Sequence, residues 1–129
     1  MPRSSTDGSS RDHRVTEGRL AAAISTAVVH VFSEYTGRGP TRARTTIDGT
    51  TVVVILQDVM TKAERSLVVS GKEAEVLHLR LTFQEAMRVD LIEVVERLTA
   101  SSVQAFMSAN HITPDAAAEI FLLERAAGP

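Results

Sequence analysis

The chain has 129 residues and a mass of 13.9 kDa, the size of one domain with its own core. Apolar residues make up 43% and charged residues 23%, which excludes a disordered chain, and the absence of cysteine excludes a disulfide scaffold, a thiolate metal site and a cysteine nucleophile. A net charge of −2 argues against a general polyanion binder, and no apolar run exceeds that of residues 52–56, far short of a membrane span.

Residues 1–15 mix serine, glycine, proline and both charges without apolar period, and read as a disordered tail with no apolar secretory segment. Residues 126–129 read as a frayed end, leaving one domain over residues 16–125. A first helix is expected over about residues 16–35, where Leu20, Ile24, Ala27, Val28, Val31 and Tyr35 recur at helical spacing. Gly37, Gly39 and Pro40 end it, since glycine takes the left-handed cap and proline cannot continue a helix.

A hairpin follows, with strands near residues 42–47 and 50–56 and Asp48-Gly49 as a type I′ turn. That turn sets Ile47 opposite Thr50, Thr45 opposite Val52 and Ala43 opposite Val54, on a core face shared with Leu56. Arg42, Arg44 and Thr46 then stand with Val53 and Ile55 on the outer face, a mixture that suits a contact surface better than plain solvent.

Thr61-Lys62-Ala63-Glu64 is a capping box opening a short helix over residues 62–69, which Gly71 breaks. A longer helix over residues 72–99 carries the stripe Val76, Arg80, Phe83, Met87, Leu91, Val94 and Leu98. Arg80 is out of place there, because a buried arginine requires a carboxylate or several carbonyls. Two apolar strands near residues 103–109 and 117–123 are joined by the turn-rich segment from Asn110 to Asp115. The resulting fold class is α+β, a two-layer sandwich in which an antiparallel sheet of about four strands, built from two hairpins, carries three helices on one face. Val53, Ile55, Phe106, Phe121 and Leu123 leave apolar residues on both sheet faces, which points to a homodimer formed through the sheet.

The most distinctive stretch runs from Tyr35 through Arg38 to Arg44, with three arginines, two glycines and no acid. Exposed glycine amides and guanidinium forks suit a small anion such as bicarbonate or phosphate. The plainer reading is a helix stop followed by an edge strand made soluble by arginines. Neither a P-loop nor a dinucleotide fingerprint has this spacing. His111, with Asn110, Thr113 and Asp115 near it in sequence, is either a loop base or part of a turn-stabilising hydrogen-bond network. No nucleophile elbow, cofactor motif or base-stacking aromatic platform is visible, and no metal site is expected.

Several segments together resemble the MpsC-like family. They are residues 34–41, read Glu-Tyr-Thr-Gly-Arg-Gly-Pro-Thr, then Ala43-Arg44-Thr45, residues 61–65, Leu79-Arg80 with Phe83-Gln84 and Ala86-Met87-Arg88, residues 105–108 with Asn110-His111, and residues 118–124. The family pattern often has an acidic residue where this chain has Ala109, and glycine with charged residues where it has Ala100-Ser101-Ser102. The family takes its name from a membrane-potential-generating, cation-translocating system whose membrane subunits are related to inorganic-carbon uptake, and the resemblance implies a small soluble accessory protein, expected in the cytoplasm. It implies no established enzymatic activity and no established ligand, and no cofactor is expected. The leading expectation is therefore a non-enzymatic docking or regulatory module, without nucleic-acid binding or membrane insertion of its own. Its contact residues would be drawn from Tyr35, Arg38, Arg42, Arg44, Arg80, Asn110 and His111. The alternatives are a small-anion sensor in which the Arg38 loop and His111 bind bicarbonate, phosphate or a nucleotide-like metabolite, and a hydrolase or lyase using His111 as base.

Overall fold

In the computed structural model the backbone is described over residues 2–126 and side chains from residue 16 onward. The tail expected over residues 1–15 therefore falls on side chains outside that description, and the frayed end lies outside it except for Ala126. The chain order is α1 (Pro2–Thr36), β1 (Arg42–Asp48), β2 (Thr51–Gln57), α2 (Lys62–Val69), α3 (Glu73–Thr99), β3 (Val103–His111) and β4 (Ala116–Leu123). The helical backbone of α1 begins well before Thr16, although the apolar stripe that marks it in sequence begins only at Leu20.

All four strands pair antiparallel in the order β1-β2-β4-β3, so the two hairpins join along a central β2–β4 seam. This is the expected α+β two-layer arrangement. The core lies between the helices and one sheet face. Ile24, Val28 and Phe32 of α1 and Met87, Leu91 and Val95 of α3 pack on Val52, Val54, Leu56, Ala117, Phe121 and Leu123. Each large side chain buried this way contributes roughly 1.5–3 kcal/mol before conformational entropy is counted against it. A smaller cluster of Met60, Val76 and Ile112 anchors α2 through Leu67 and Val68. The capping box at Thr61 forms both of its bonds: the Glu64 amide donates to Thr61 Oγ1 at 3.2 Å and the Thr61 amide donates to Glu64 Oε1 at 2.9 Å.

The first hairpin departs from expectation by two residues of register. Ile47 faces Val52, Thr45 faces Val54 and Ala43 faces Leu56, with Asp48 paired to Thr51. The loop is therefore Gly49-Thr50 rather than Asp48-Gly49. Gly49 has φ +60 and no positive φ occurs at Thr50, which is the pattern of a type II′ turn with glycine at its first central position. Side chains alternate with a period of two, so a slip of two leaves every residue on its expected face. Arg42, Arg44 and Thr46 are exposed, and Val52, Val54 and Leu56 are fully buried.

Two other expectations change. Phe106, Phe121 and Leu123 share the inner face with the core, and the apolar outer face is made instead by Val53, Ile55, Ile120, Leu122 and Met107. The buried line of α3 is Val76, Arg80, Gln84, Met87, Leu91, Val95 and Thr99, while Phe83, Val94 and Leu98 are only partly buried beside it. Replacing Gly49 by alanine forces a side chain into left-handed backbone. It is expected to lower the unfolding free energy by about 1–2 kcal/mol, read as a shift in urea midpoint, while Thr50→Ala stays near wild type.

Candidate functional site

The four arginines singled out in sequence divide by the partners they find: Arg38 and Arg80 are bound into networks, whereas Arg42 and Arg44 stay on the surface. Arg38 leaves the end of α1 and reaches across to the loop after β2. Its Nη1 donates to the carbonyls of Asp58 at 2.8 Å and Met60 at 3.0 Å, and its Nη2 to Asp58 Oδ2 at 3.0 Å. Asp58, itself in left-handed backbone at φ +58, also accepts from Arg65 at 3.0 Å and Thr41 at 3.1 Å. Hydrogen bonds from Arg65, then Arg38, then Thr41 hold its carboxyl below the usual aspartate range.

Arg80 is 3% exposed and lies beneath the β3–β4 loop. Its Nη2 donates to Asp115 Oδ1 at 3.0 Å, and its Nη1 to the carbonyl of Ala116 at 3.3 Å and, at the long limit, to that of His111 at 3.5 Å. The other Asp115 oxygen accepts the Met60 amide at 2.8 Å. Arg38, Met60, Asp115 and Arg80 therefore form one chain of polar contacts that braces three loops together. Both terminal nitrogens of Arg38 and of Arg80 donate into this network. An open groove of about 640 Å³ between α1 and α3 lies elsewhere, lined by Ala22, Thr26, His30 and Leu98 among others.

Asn110 and His111 are neighbours in β3 and so point to opposite faces. Asn110 turns inward to a polar cluster that sequence reading did not single out. Its Nδ2 donates to Gln84 Oε1 at 2.8 Å, Gln84 Nε2 donates to Asn110 Oδ1 at 3.0 Å and to Glu119 Oε2 at 2.8 Å, and Ser108 Oγ donates to Glu119 Oε1. Glu119 is fully buried in the middle of β4. Burial pushes its carboxyl up to about 7, against the opposing pull of the Ser108 and Gln84 hydrogen bonds and the nearby Arg80 charge.

His111 faces outward. Its Nδ1 donates to the Pro114 carbonyl at 2.9 Å, and it borders a shallow depression of about 160 Å³ on the sheet surface with Ile55, Ala109, Ala116 and Ala118. Asp115 is committed to Arg80 and Met60, so the carboxylate expected beside the imidazole serves the interior instead. Tyr35 donates its hydroxyl to Asp90 Oδ2 at 2.7 Å, tying α1 to α3, and that bond is the main cause of its raised pKa. Among the described residues no group of three or more histidines, aspartates or glutamates is arranged to hold a metal ion, and no helix is long and apolar enough to cross a membrane.

Arg42 and Arg44 stand apart from all this. Both are exposed on the outer sheet face; Arg42 reaches only Gln57, at 3.5 Å, and Arg44 has no ion pair among the described residues. The family model of the Na+-translocating membrane potential-generating system (MpsC) matches residues 16–125, which takes in the whole described α+β unit from the packed part of α1 to the end of β4. The chain belongs to the MpsC family. No curated protein and no solved structure matches it. In this MpsC-family chain the segments that carry the resemblance divide by position. Arg80, Gln84, Asn110 and Glu119 hold the fold from within, Tyr35 and Arg38 brace it from the edge, and Arg44 and His111 lie on the open sheet surface.

Two measurements check this division. Arg80→Ala leaves the largely buried Asp115 carboxylate without its cation and is expected to cost about 3–5 kcal/mol of stability in chemical denaturation. Glu119 has a folded value of about 7, above its unfolded value of 4.5, so the folded state binds the proton more tightly. The stability it contributes is complete below about pH 4.5 and is lost as pH rises through about 7. Glu119→Gln, a neutral side chain of the same length, is expected to flatten that decline in urea midpoint, most clearly on the alkaline side.

Proposed function

We propose that this MpsC-family chain is a non-enzymatic accessory protein of a membrane cation-transport system, that it acts in the cytoplasm, and that it docks through the open face of its sheet. The observation that carries the reading is the composition of that face. Among the described residues no helix covers it and Arg42 and Arg44 flank it without carboxylate partners, while Ile55 and Met107 are 41% and 45% exposed on it. Such a surface combines apolar area for affinity with charge for orientation and encounter rate. Family membership supports the class of partner, because the family description is that of a Na+-translocating membrane potential-generating system.

The remaining polar groups favour binding over chemistry. The Arg38 guanidinium, the Arg80 guanidinium and the Asp115 carboxylate have their hydrogen bonds committed to loop backbone and to each other. His111 lies on an open surface, its ring bound to the Pro114 carbonyl and to no acid among the described residues.

The test is co-purification of tagged protein with the membrane fraction of its own host, with captured proteins identified by mass spectrometry. The wild type is expected to retain subunits of a cation transporter, and Arg42→Glu combined with Arg44→Glu to lose them by roughly tenfold or more while circular dichroism is unchanged. Full retention of those subunits by the double variant would remove the sheet face as the docking surface.

A further inference from the structure

The open face has an internal symmetry that names one occupant. Its central transverse row is Thr46, Val53, Ile120 and Met107, one residue from each strand in register order. Two positions to one side lies the row of Arg44, Ile55, Ala118 and Ala109, and two positions to the other the row of Asp48, Thr51, Leu122 and Ala105. Arg44 and Asp48 are thus equidistant from the central row, on the same strand and the same face, with opposite charge. Neither has an ion pair or side-chain hydrogen bond among the described residues.

We propose that, when no transporter is bound, a second copy of this chain covers the face, related by a two-fold axis running along the Thr46–Met107 row. The inference rests on the reading of the open face as a docking surface and names what occupies it in the free protein. A two-fold axis along that row lays the two sheets face to face with β1 over β1 in opposite directions, within the ~30° typical of aligned sheets. Arg44 of each copy then meets Asp48 of the other, giving two equivalent ion pairs at the rim. The large apolar residues of the central row, Val53, Ile120 and Met107, meet their own counterparts at the centre.

Shape selects the same axis. The depression beside Ile55, of about 160 Å³, is floored by Ala109, Ala116 and Ala118. The operation brings Leu122 of the second copy over Ala118, so a projecting leucine enters a hollow lined by alanines. Charge, apolar content and relief therefore converge on one arrangement. Four strands at ~4.8 Å spacing and seven residues at ~3.3 Å give a face of roughly 19 by 23 Å, on the order of 1,000 Å² over both copies. That is the lower end of specific interfaces, so the pair exchanges readily and a transporter subunit competes for the same surface.

Charge reversal tests both the face and the axis. Light scattering on the full chain at high concentration is expected to give twice the 13.9 kDa chain mass. Arg44→Asp alone and Asp48→Arg alone set like charges opposite each other, and each is expected to weaken self-association roughly tenfold or more without changing circular dichroism. An equimolar mixture of the two variants restores opposite charges at both rim contacts and is expected to recover the dimer. A wild-type monomer at every concentration, or two variants that dimerise as the wild type does, would overturn the proposal; failure of the mixture to recover would overturn the axis. Transporter capture is read separately by the co-purification with Arg42 and Arg44 altered, so a monomeric protein that still captures its transporter refutes only the self-pairing.

Discussion

Helices cover one face of this sheet and not the other, and the period of two along each strand turns that fact into two surfaces of different character. Every inward position answers to α1 and α3, and every outward position answers to whatever meets the molecule. Val52, Val54 and Leu56 go in while Val53 and Ile55 go out, although all five belong to the same apolar run. A single-residue slip in β2 would bring Thr51 and Gln57 into the core, so the hairpin register is held by burial as well as by the turn. The outer face is apolar without being covered, a feature the chain keeps at some risk of unspecific association.

The interior holds buried polar and charged side chains among its apolar ones, Arg80, Gln84 and Glu119 chief among them. Arg80 with Asp115 and Glu119 with Gln84, Ser108 and Asn110 sit side by side beneath the β3–β4 hairpin, and no buried side-chain polar atom among the described residues lacks a partner. Networks so fully satisfied favour one arrangement of the groups they join over others, since any repacking strands a charge or a donor. Their members come from α3, β3, β4 and the loop after β2. The hairpin is thereby fixed against the long helix by hydrogen-bond geometry, where apolar contacts alone would allow sliding. The rigid backing this gives to the open face is a condition for precise docking.

Much of the architecture was legible in the sequence because local signals agreed with one another. Thr61 and Glu64 at capping-box spacing, Gly71 and Pro40 as stops, and alternation through β1 and β2 placed the elements and assigned Arg42 and Arg44 to the surface. The turn itself was misread: Asp-Gly is the stronger local signal, but a seven-residue pairing of each strand was better served by placing glycine first in the loop. Glu119 was legible in principle. It alternates with Ala117, Phe121 and Leu123, which marks it as inward, and Gln84 follows Arg80 by one helical turn on the same stripe. It went unread because an isolated acid in an apolar strand is ordinarily taken to face water. The engagement of Arg38 depends on where loops meet in space, which no spacing rule contains, and the separation of Asn110 from His111 follows from β3 continuing through His111, past the strand end expected at residue 109.

The pairing of β2 with β4 has a kinetic consequence. Each hairpin closes over a short connection, but the seam between them must close over the two helices lodged in between, and loop-closure entropy makes that the most demanding join in the sheet. During synthesis β2 leaves the ribosome long before β4, the strand that pairs with its second edge. Until β4 emerges, that unpaired edge, carrying the apolar run of residues 52–56, is a template for any passing strand, and the nascent protein is vulnerable for as long as the helices and β3 take to be made.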